Sequence, residues 1–265
     1  MVVHTSMNNK RQINISKVII VICVIIYLLY IYFYRLTNDE VSTMILLGTD
    51  YKTFTLGLGE YFRLITSGFC HFSILHLVCN MLSLYSLGSL IQSIYGAKKY
   101  LIYLFGGILI GSLTSGILNT NVIESGISSG LYTFFIIIIL YVFTYHKQLT
   151  SNFIPVVFLN FSLNFLPNVS WQAHLGGAIA GVIFFIIEYY NVTGNKMTSM
   201  LYKLLLVVVI VGLSFKYYQT KDQIMDYYGT DYRYVSYLDR INPKLRNYYI
   251  IKLNKYYELK EDLYE

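Results

Sequence analysis

Charge is what this chain of 265 residues has least of: 13% of its residues are Asp, Glu, Lys or Arg, while 55% are hydrophobic. Soluble domains carry roughly 25% charged residues. A deficit of that size means that most of the chain faces lipid or other apolar helices. The few charges lean basic, +6 in all. In a soluble protein that balance would point to acidic partners; here it reads as the Lys and Arg of cytoplasmic loops, so nucleic acid is not an expected partner. Cysteine is scarce as well. Cys23, Cys70 and Cys79 are too few and too scattered for a disulfide framework, and Cys23 and Cys79, set in apolar runs, read as small buried thiols. No small-residue cleavage site follows the first apolar run in Tyr30–Arg35, which argues against a removed signal peptide.

Acids are missing where they would matter most. From residue 72 to residue 187 there is one, Glu124, and no Asp. An aspartyl protease working in the bilayer needs two carboxylates, and a proton-coupled transporter usually carries buried acids; the chain also has no internal repeat of the transporter kind. The His-Glu-x-x-His pattern of a zinc protease is absent. His71, His76 and His174 could in principle meet at a metal, but no nearby carboxylate supports that, and Cys70 and Cys79 match no zinc spacing. No cofactor is expected.

What is present is a series of apolar runs. A membrane helix needs about 20 mostly apolar residues, and seven segments are candidates: 18–34, 72–94, 99–119, 127–145, 153–167, 171–190 and 201–217. The fifth is short and ends at Pro167. The expected fold class is an all-α polytopic membrane protein. Lys10, Arg11 and Lys17 precede the first run, Lys98 and Lys99 follow the second, Lys147 the fourth and Lys196 the sixth, while 120–126 and 168–170 have neither Lys nor Arg. The positive-inside rule then puts the N-terminus, 1–17, in the cytoplasm, and puts the loop 35–71, the ends of the third and fifth spans and the C-terminus outside. That long loop is amphipathic, with Met44-Ile-Leu-Leu47 and Phe54-Thr-Leu-Gly-Leu58, and is expected to lie in the interface plane. The tail 218–265 is Tyr-rich and evenly charged and reads as a small helical appendage folded back on itself. The 28 Tyr and 16 Phe partly anchor spans at the interfaces. Asn168-Val-Ser170 and Asn191-Val-Thr193 fit a glycosylation pattern too short to carry weight.

Among these apolar runs stand a few polar residues that cost free energy there. Serine is a poor nucleophile unless an adjacent imidazole takes its proton. Candidate serines lie in Gly126-Ile-Ser128-Ser129-Gly130, at the entry to the fourth span, and the candidate base is His174 in Trp171-Gln-Ala-His-Leu-Gly-Gly-Ala-Ile-Ala-Gly181. Gly177 and Gly181 follow at +3 and +7 and share nearly one helical face, so a small-residue seam would let the sixth span approach the fourth. His76 and Asn80, at i and i+4 on the second span, point the same way and with the Ser128 backbone N–H could hold an oxyanion. Each piece has an ordinary structural reading: a lone His in an apolar helix is usually a satisfied core residue, and small residues in membrane helices usually serve packing. His71 reads as structural or interfacial.

Taken together, Phe62-Arg63, His71-x4-His76-x3-Asn80, Gly126-x-Ser128, Tyr132 and Ala173-His174-x2-Gly177-x3-Gly181 resemble the rhomboid family of intramembrane serine proteases, over about Glu60 to Gly181. The resemblance implies a rhomboid-like six-helix bundle over 18–190, with 201–217 as one additional C-terminal transmembrane helix, the six-plus-one form common among bacterial members. It implies a Ser128–His174 dyad without a third acid, with Tyr132 stacked on the His174 ring, His76 and Asn80 as oxyanion donors, and Gly126, Arg63, Gly177 and Gly181 in support. Substrates would be single-span membrane proteins, cut near the outer face after a small residue, in a plasma membrane. Three positions depart from the family pattern: Phe62 stands for the usual Trp, Gln92 for a Glu whose structural hydrogen bond is then in doubt, and Ser129 for the Gly after the nucleophile. The last allows Ser129-Gly130 as an alternative register; Ser128 is preferred because Gly lies two before it and Tyr four after. The alternative function is a catalytically inactive rhomboid-like protein that binds transmembrane clients for quality control; the intact Ser, His, Tyr, His and Asn favour the protease.

Overall fold

A computed structural model describes residues 13–119, 123–146, 169–223 and 229–261. Among these the chain is helical, with one isolated antiparallel bridge between Asp50 and Glu124. Five helical segments are long and apolar enough to cross a membrane: Ile15–Thr37, Ile74–Leu118, Ser128–Tyr145, Trp171–Val192 and Lys196–Gln219. The expected span 153–167 lies outside the described residues.

The first crossing, α1 (Ile15–Thr37), runs between two asparagines. The Asn14 side chain accepts from the Lys17 N–H, and Asn38 ends the helix in the left-handed region at φ 56°, where Asn is among the few non-glycine residues at ease. Gln92 closes the N-terminal end of α1: its Oε1 accepts from the Ile15 N–H at 2.9 Å and its Nε2 donates to the Ile13 carbonyl at 2.7 Å. Gln92 thus has its own structural task, and the bond to Ile13 is one that a carboxylate could not donate. The short helices α2 (Glu40–Leu46) and α3 (Arg63–Thr66) follow, with a π-helical turn at Thr53–Gly57 between them.

The segment Ile74–Leu118 is 45 residues long, about 68 Å if straight, more than twice the hydrocarbon thickness. It is not straight. It comprises α4 (Ile74–Ser83), a π-helical turn at Leu84–Gly88, and α5 (Ser89–Leu118), which breaks at Gly96, φ 80° and ψ 170°. A Cβ on Gly88 would lie 2.9 Å from the Tyr100 ring, so the chain doubles back at Gly96 in a backbone conformation that only glycine adopts without strain. The two limbs are the expected spans 72–94 and 99–119.

The core is formed by α5, α6 (Ser128–Tyr141) and α7 (Trp171–Val192), with Leu104, Ile108, Phe134, Ile137 and Ala180 buried between them. A Cβ on Gly177 would lie 2.0 Å from the Ser129 carbonyl, and one on Gly181 2.8 Å from the Thr133 carbonyl. The glycine seam predicted on the sixth span is therefore the contact between α7 and α6, at an approach that leaves no room for a Cβ. Thr133 Oγ1 seals it by donating to the Gly177 carbonyl at 2.8 Å.

The last crossing, α8 (Lys196–Gln219), touches the core on one side. The tail forms α9 (Thr230–Ile241) and α10 (Pro243–Glu261). Helical as expected, the tail does more than fold on itself. Tyr234, Tyr237, Leu238, Tyr249 and Leu253 bury Ile45, Tyr51 and Phe54 of the loop 35–71. Apolar residues of that loop thus lie against protein on the side that the tail covers. Arg63 holds the loop from within: it pairs with Glu60 at 2.7 Å and donates to the carbonyls of Ile45 and Thr49 at 2.8 and 3.1 Å. This loop, the end of α5 and the end of α8 gather at one end of the bundle, where the Tyr217 hydroxyl donates to Asp50 and Lys52 Nζ to the Gly116 carbonyl at 2.6 Å.

Candidate active site

At that end a cavity of about 780 Å³ opens between α4, α6 and α7, lined by Ser128, His174, His76, Asn80, Tyr132 and Trp171 among others. Ser128 is the first residue of α6, so its backbone N–H is one of the donors a helix start leaves without an intrahelical partner. Its Oγ lies 2.8 Å from His174 Nε2. His174 sits in the first turn of α7, whose cap Ser170 accepts from the Ala173 N–H at 3.3 Å. Tyr132, one turn after Ser128 and on the same face, stacks on the imidazole with ring centroids 4.1 Å apart and planes 12° apart. An imidazole nitrogen so placed can take the hydroxyl proton.

Ser129 faces away. A Cβ on Gly111 would lie 2.4 Å from the Ser129 Cβ and 2.9 Å from the Ala173 carbonyl, so Ser129 fills the junction of α5 and α7. The register with Ser128 as the candidate nucleophile is the one whose hydroxyl meets the histidine.

Opposite the dyad, Ser73 caps α4 by accepting from the His76 N–H at 3.2 Å, which starts the helix that carries His76 and Asn80 on one face. Gly126 holds the loop against them. Its φ is 102°, and a Cβ there would fall 2.6 Å from the His76 ring, so both backbone and space require glycine. His71, read from the sequence as structural, has a specific task. It is buried, its Nδ1 lies 3.3 Å from the Phe69 carbonyl, and its Nε2 lies 3.0 Å from Asn80 Nδ2. Burial, more than the neighbouring His76, lowers the His71 pKa from 6.5 to about 3. The neutral ring donates from Nδ1 to Phe69 and accepts at Nε2 from one N–H of Asn80, and the amide is thereby fixed. Arg63, in contrast, works in the loop 35–71, where it holds Glu60 and the carbonyls of Ile45 and Thr49.

A second polar group borders the cavity. Glu124 accepts from the Ser115 hydroxyl, and Ser115 Oγ lies 2.8 Å from Ser170 Oγ. The backbone of Glu124 exchanges both hydrogen bonds with Asp50, at 2.9 and 3.2 Å. Burial raises the Glu124 carboxyl from an ordinary 4.5 to about 7, and burial likewise pushes Asp50 up. Lys52 is pulled down to about 8 by the same loss of water. Among the described residues no group of three or more His, Cys, Asp or Glu is arranged to hold a metal ion.

A family model described as the Rhomboid domain matches residues 58–191. The chain belongs to the rhomboid family. The Bacillus subtilis protein named Rhomboid protease GluP is 29% identical over 189 residues, 69% of this chain and 36% of that protein. RHOMBOID-like protein 5 of Arabidopsis thaliana is 32% identical over 133 residues, 46% of this chain and 42% of that one. Inactive rhomboid-related protein 2 of Caenorhabditis elegans is 25% identical over 146 residues, 50% and 42% of the two chains. The alignments thus span less than half the length of these relatives. Membership makes this a rhomboid-like membrane protein of a family that contains both proteases and proteins named inactive.

Proposed function

We propose that this rhomboid is an active intramembrane serine endopeptidase that cuts transmembrane segments of single-span membrane proteins near the end of the bundle where the loop 35–71 lies. The observation that carries the reading is the 2.8 Å approach of Ser128 Oγ to His174 Nε2 at the wall of the cavity, with Tyr132 stacked on the imidazole. A protein that only binds transmembrane clients has no physical need for that pairing.

In the proposed reaction His174 Nε2 takes the Ser128 proton as Oγ attacks the scissile carbonyl carbon. The carbonyl electron pair moves to oxygen. In this reading the Ser128 N–H, the remaining N–H of Asn80 and the His76 ring, all at the cavity wall, would hold that oxygen, each such donor worth about 2.7–4 kcal/mol in a water-poor site. Collapse breaks the C–N bond, and the proton passes from His174 to the leaving amine. Water, deprotonated by His174, then releases the acyl group from Ser128. A substrate helix hides its carbonyls in its own hydrogen bonds, so cleavage favours segments with helix-breaking residues.

The test is to incubate purified protein with a panel of single-span substrates and to sequence the new termini. Ser128→Ala should lower turnover by about 10⁶-fold, to background, and should remove labelling by a fluorophosphonate probe, while Ser129→Ala should remain active. Full activity of the Ser128 variant would overturn the assignment.

A further inference from the structure

Resting on the protease reading, we propose that Glu124 is a positioning residue: its ionised carboxylate, acting through Ser115 and Ser170, ties the loop that delivers Ser128 to the start of the helix that delivers His174. The proposal stands on a continuous path of contacts. Glu124 lies four residues before Ser128 on one short loop, which is anchored on both sides: the backbone of Glu124 is bridged to Asp50, and the Gly126 N–H donates to the Ser67 carbonyl at 3.0 Å. From that loop the carboxylate reaches across to Ser115, near the end of α5 and fully buried. Ser115 Oγ meets Ser170 Oγ, and Ser170 is the N-cap of α7, four residues before His174. The donors can all run one way, from the Ala173 N–H to Ser170, from Ser170 to Ser115, and from Ser115 to the carboxylate. An ionised acceptor at the end of such a run makes the shorter and stronger bond.

The same site sets when Glu124 is ionised. The groups facing it are Asp50 of the loop 35–71, Tyr217 of α8 and, beyond Asp50, Lys52; His76 and His174 lie across the cavity. Burial dominates, and the nearby Asp50 adds to it, so Glu124 changes charge at about 7. The folded carboxyl is then protonated where the unfolded one, at 4.5, is already ionised. Stability contributed by this group therefore falls as pH rises from about 4.5 through about 7, while the grip on Ser170 tightens. The site gives up stability to hold its two halves together.

The experiment compares wild type with Glu124→Gln, which keeps an acceptor for Ser115 but cannot titrate. His174 is common to both proteins, so the ratio of their kcat values isolates Glu124. At about pH 6 the ratio should be close to one, and at about pH 8 wild type should be faster by about five-fold with KM unchanged. Glu124→Ala should be slower at both. The unfolding midpoint of wild type, relative to Glu124→Gln, should fall between about pH 5 and about pH 8; this readout needs no turnover. An active wild type with a kcat ratio constant over pH, as a purely structural acid would give, overturns the inference and leaves the protease reading intact. Absence of any Ser128-dependent cleavage overturns the protease reading itself.

Discussion

Single side chains decide whether the cavity can do chemistry, and His71 shows how indirectly they do so. It donates no group to the reacting atoms, yet it occupies one of the two N–H groups of Asn80 and so aims the other. His71→Ala should lower kcat by about ten-fold through Asn80, part of what loss of an oxyanion donor costs, with KM little changed in a single-span substrate assay. The same residue sets an acid limit. Its folded pKa, about 3, lies below the unfolded 6.5, so as pH falls through that interval the unfolded chain binds a proton that the folded chain does not. Its contribution is complete above about 6.5 and is lost progressively below it; His71→Asn should flatten the acid side of a plot of unfolding midpoint against pH. The candidate pair Ser128 and His174 was legible in the sequence, from the shortage of acids in the apolar runs and from the likeness of their motifs to the rhomboid pattern. The bond from Asn80 to His71 was not. Eight residues lie between the two, across the break before α4, a spacing that belongs to no helical period. Glu124 escaped for a similar reason, since a loop residue gives no pattern from which to read where its carboxylate points.

At the scale of elements, the site depends on how closely α7 approaches α6. With the Ser129 carbonyl 2.0 Å from where a Gly177 Cβ would sit, Gly177→Val must push the helices apart. Overpacking costs about 1–3 kcal/mol, and because the displacement acts directly on the distance between Ser128 and His174, activity should fall by about 10²-fold. Thermal unfolding and cleavage, measured on the same preparation, check both. Here the sequence was informative, since a glycine at +3 and +7 from the histidine is a face and a face implies a partner. The boundary between the second and third spans was legible as well: Gly96 with Lys98 and Lys99 marks a turn between two apolar runs.

The whole molecule has a part that no local pattern announced. The tail helices α9 and α10 cover the loop 35–71, with Phe54 between Tyr234 and Tyr249 at ring distances of 5.1 and 5.2 Å, and with Tyr237 joined to Thr43. The pairing joins segments nearly 200 residues apart, and neither segment alone has a periodicity that names the other. Ending the chain at residue 229 should bare Ile45, Tyr51 and Phe54 at least in part, lower the unfolding midpoint and open the loop to trypsin at Arg63, whose partner Glu60 meets Tyr249 and Lys252 of α10; mass spectrometry of limited digests reads the site. If the shortened protein resists trypsin as the full chain does, the cover is not what protects the loop.

The attachment of α8 has its own consequence. Near one end Ser199 donates to the Ile187 carbonyl and to Asn191, near the other Tyr217 lies on Gly116 and reaches Asp50, and between them Leu204, Val207, Val208 and Val211 look outward. Such a rod is riveted at its tips and leans on the core along one side, through Leu206, Val209, Ile210 and Leu213. Over generations its outward side can drift among greasy residues without penalty, while the serine, the tyrosine and the inner stripe stay put, so the record of selection on this segment should be written at its two extremities and along that stripe.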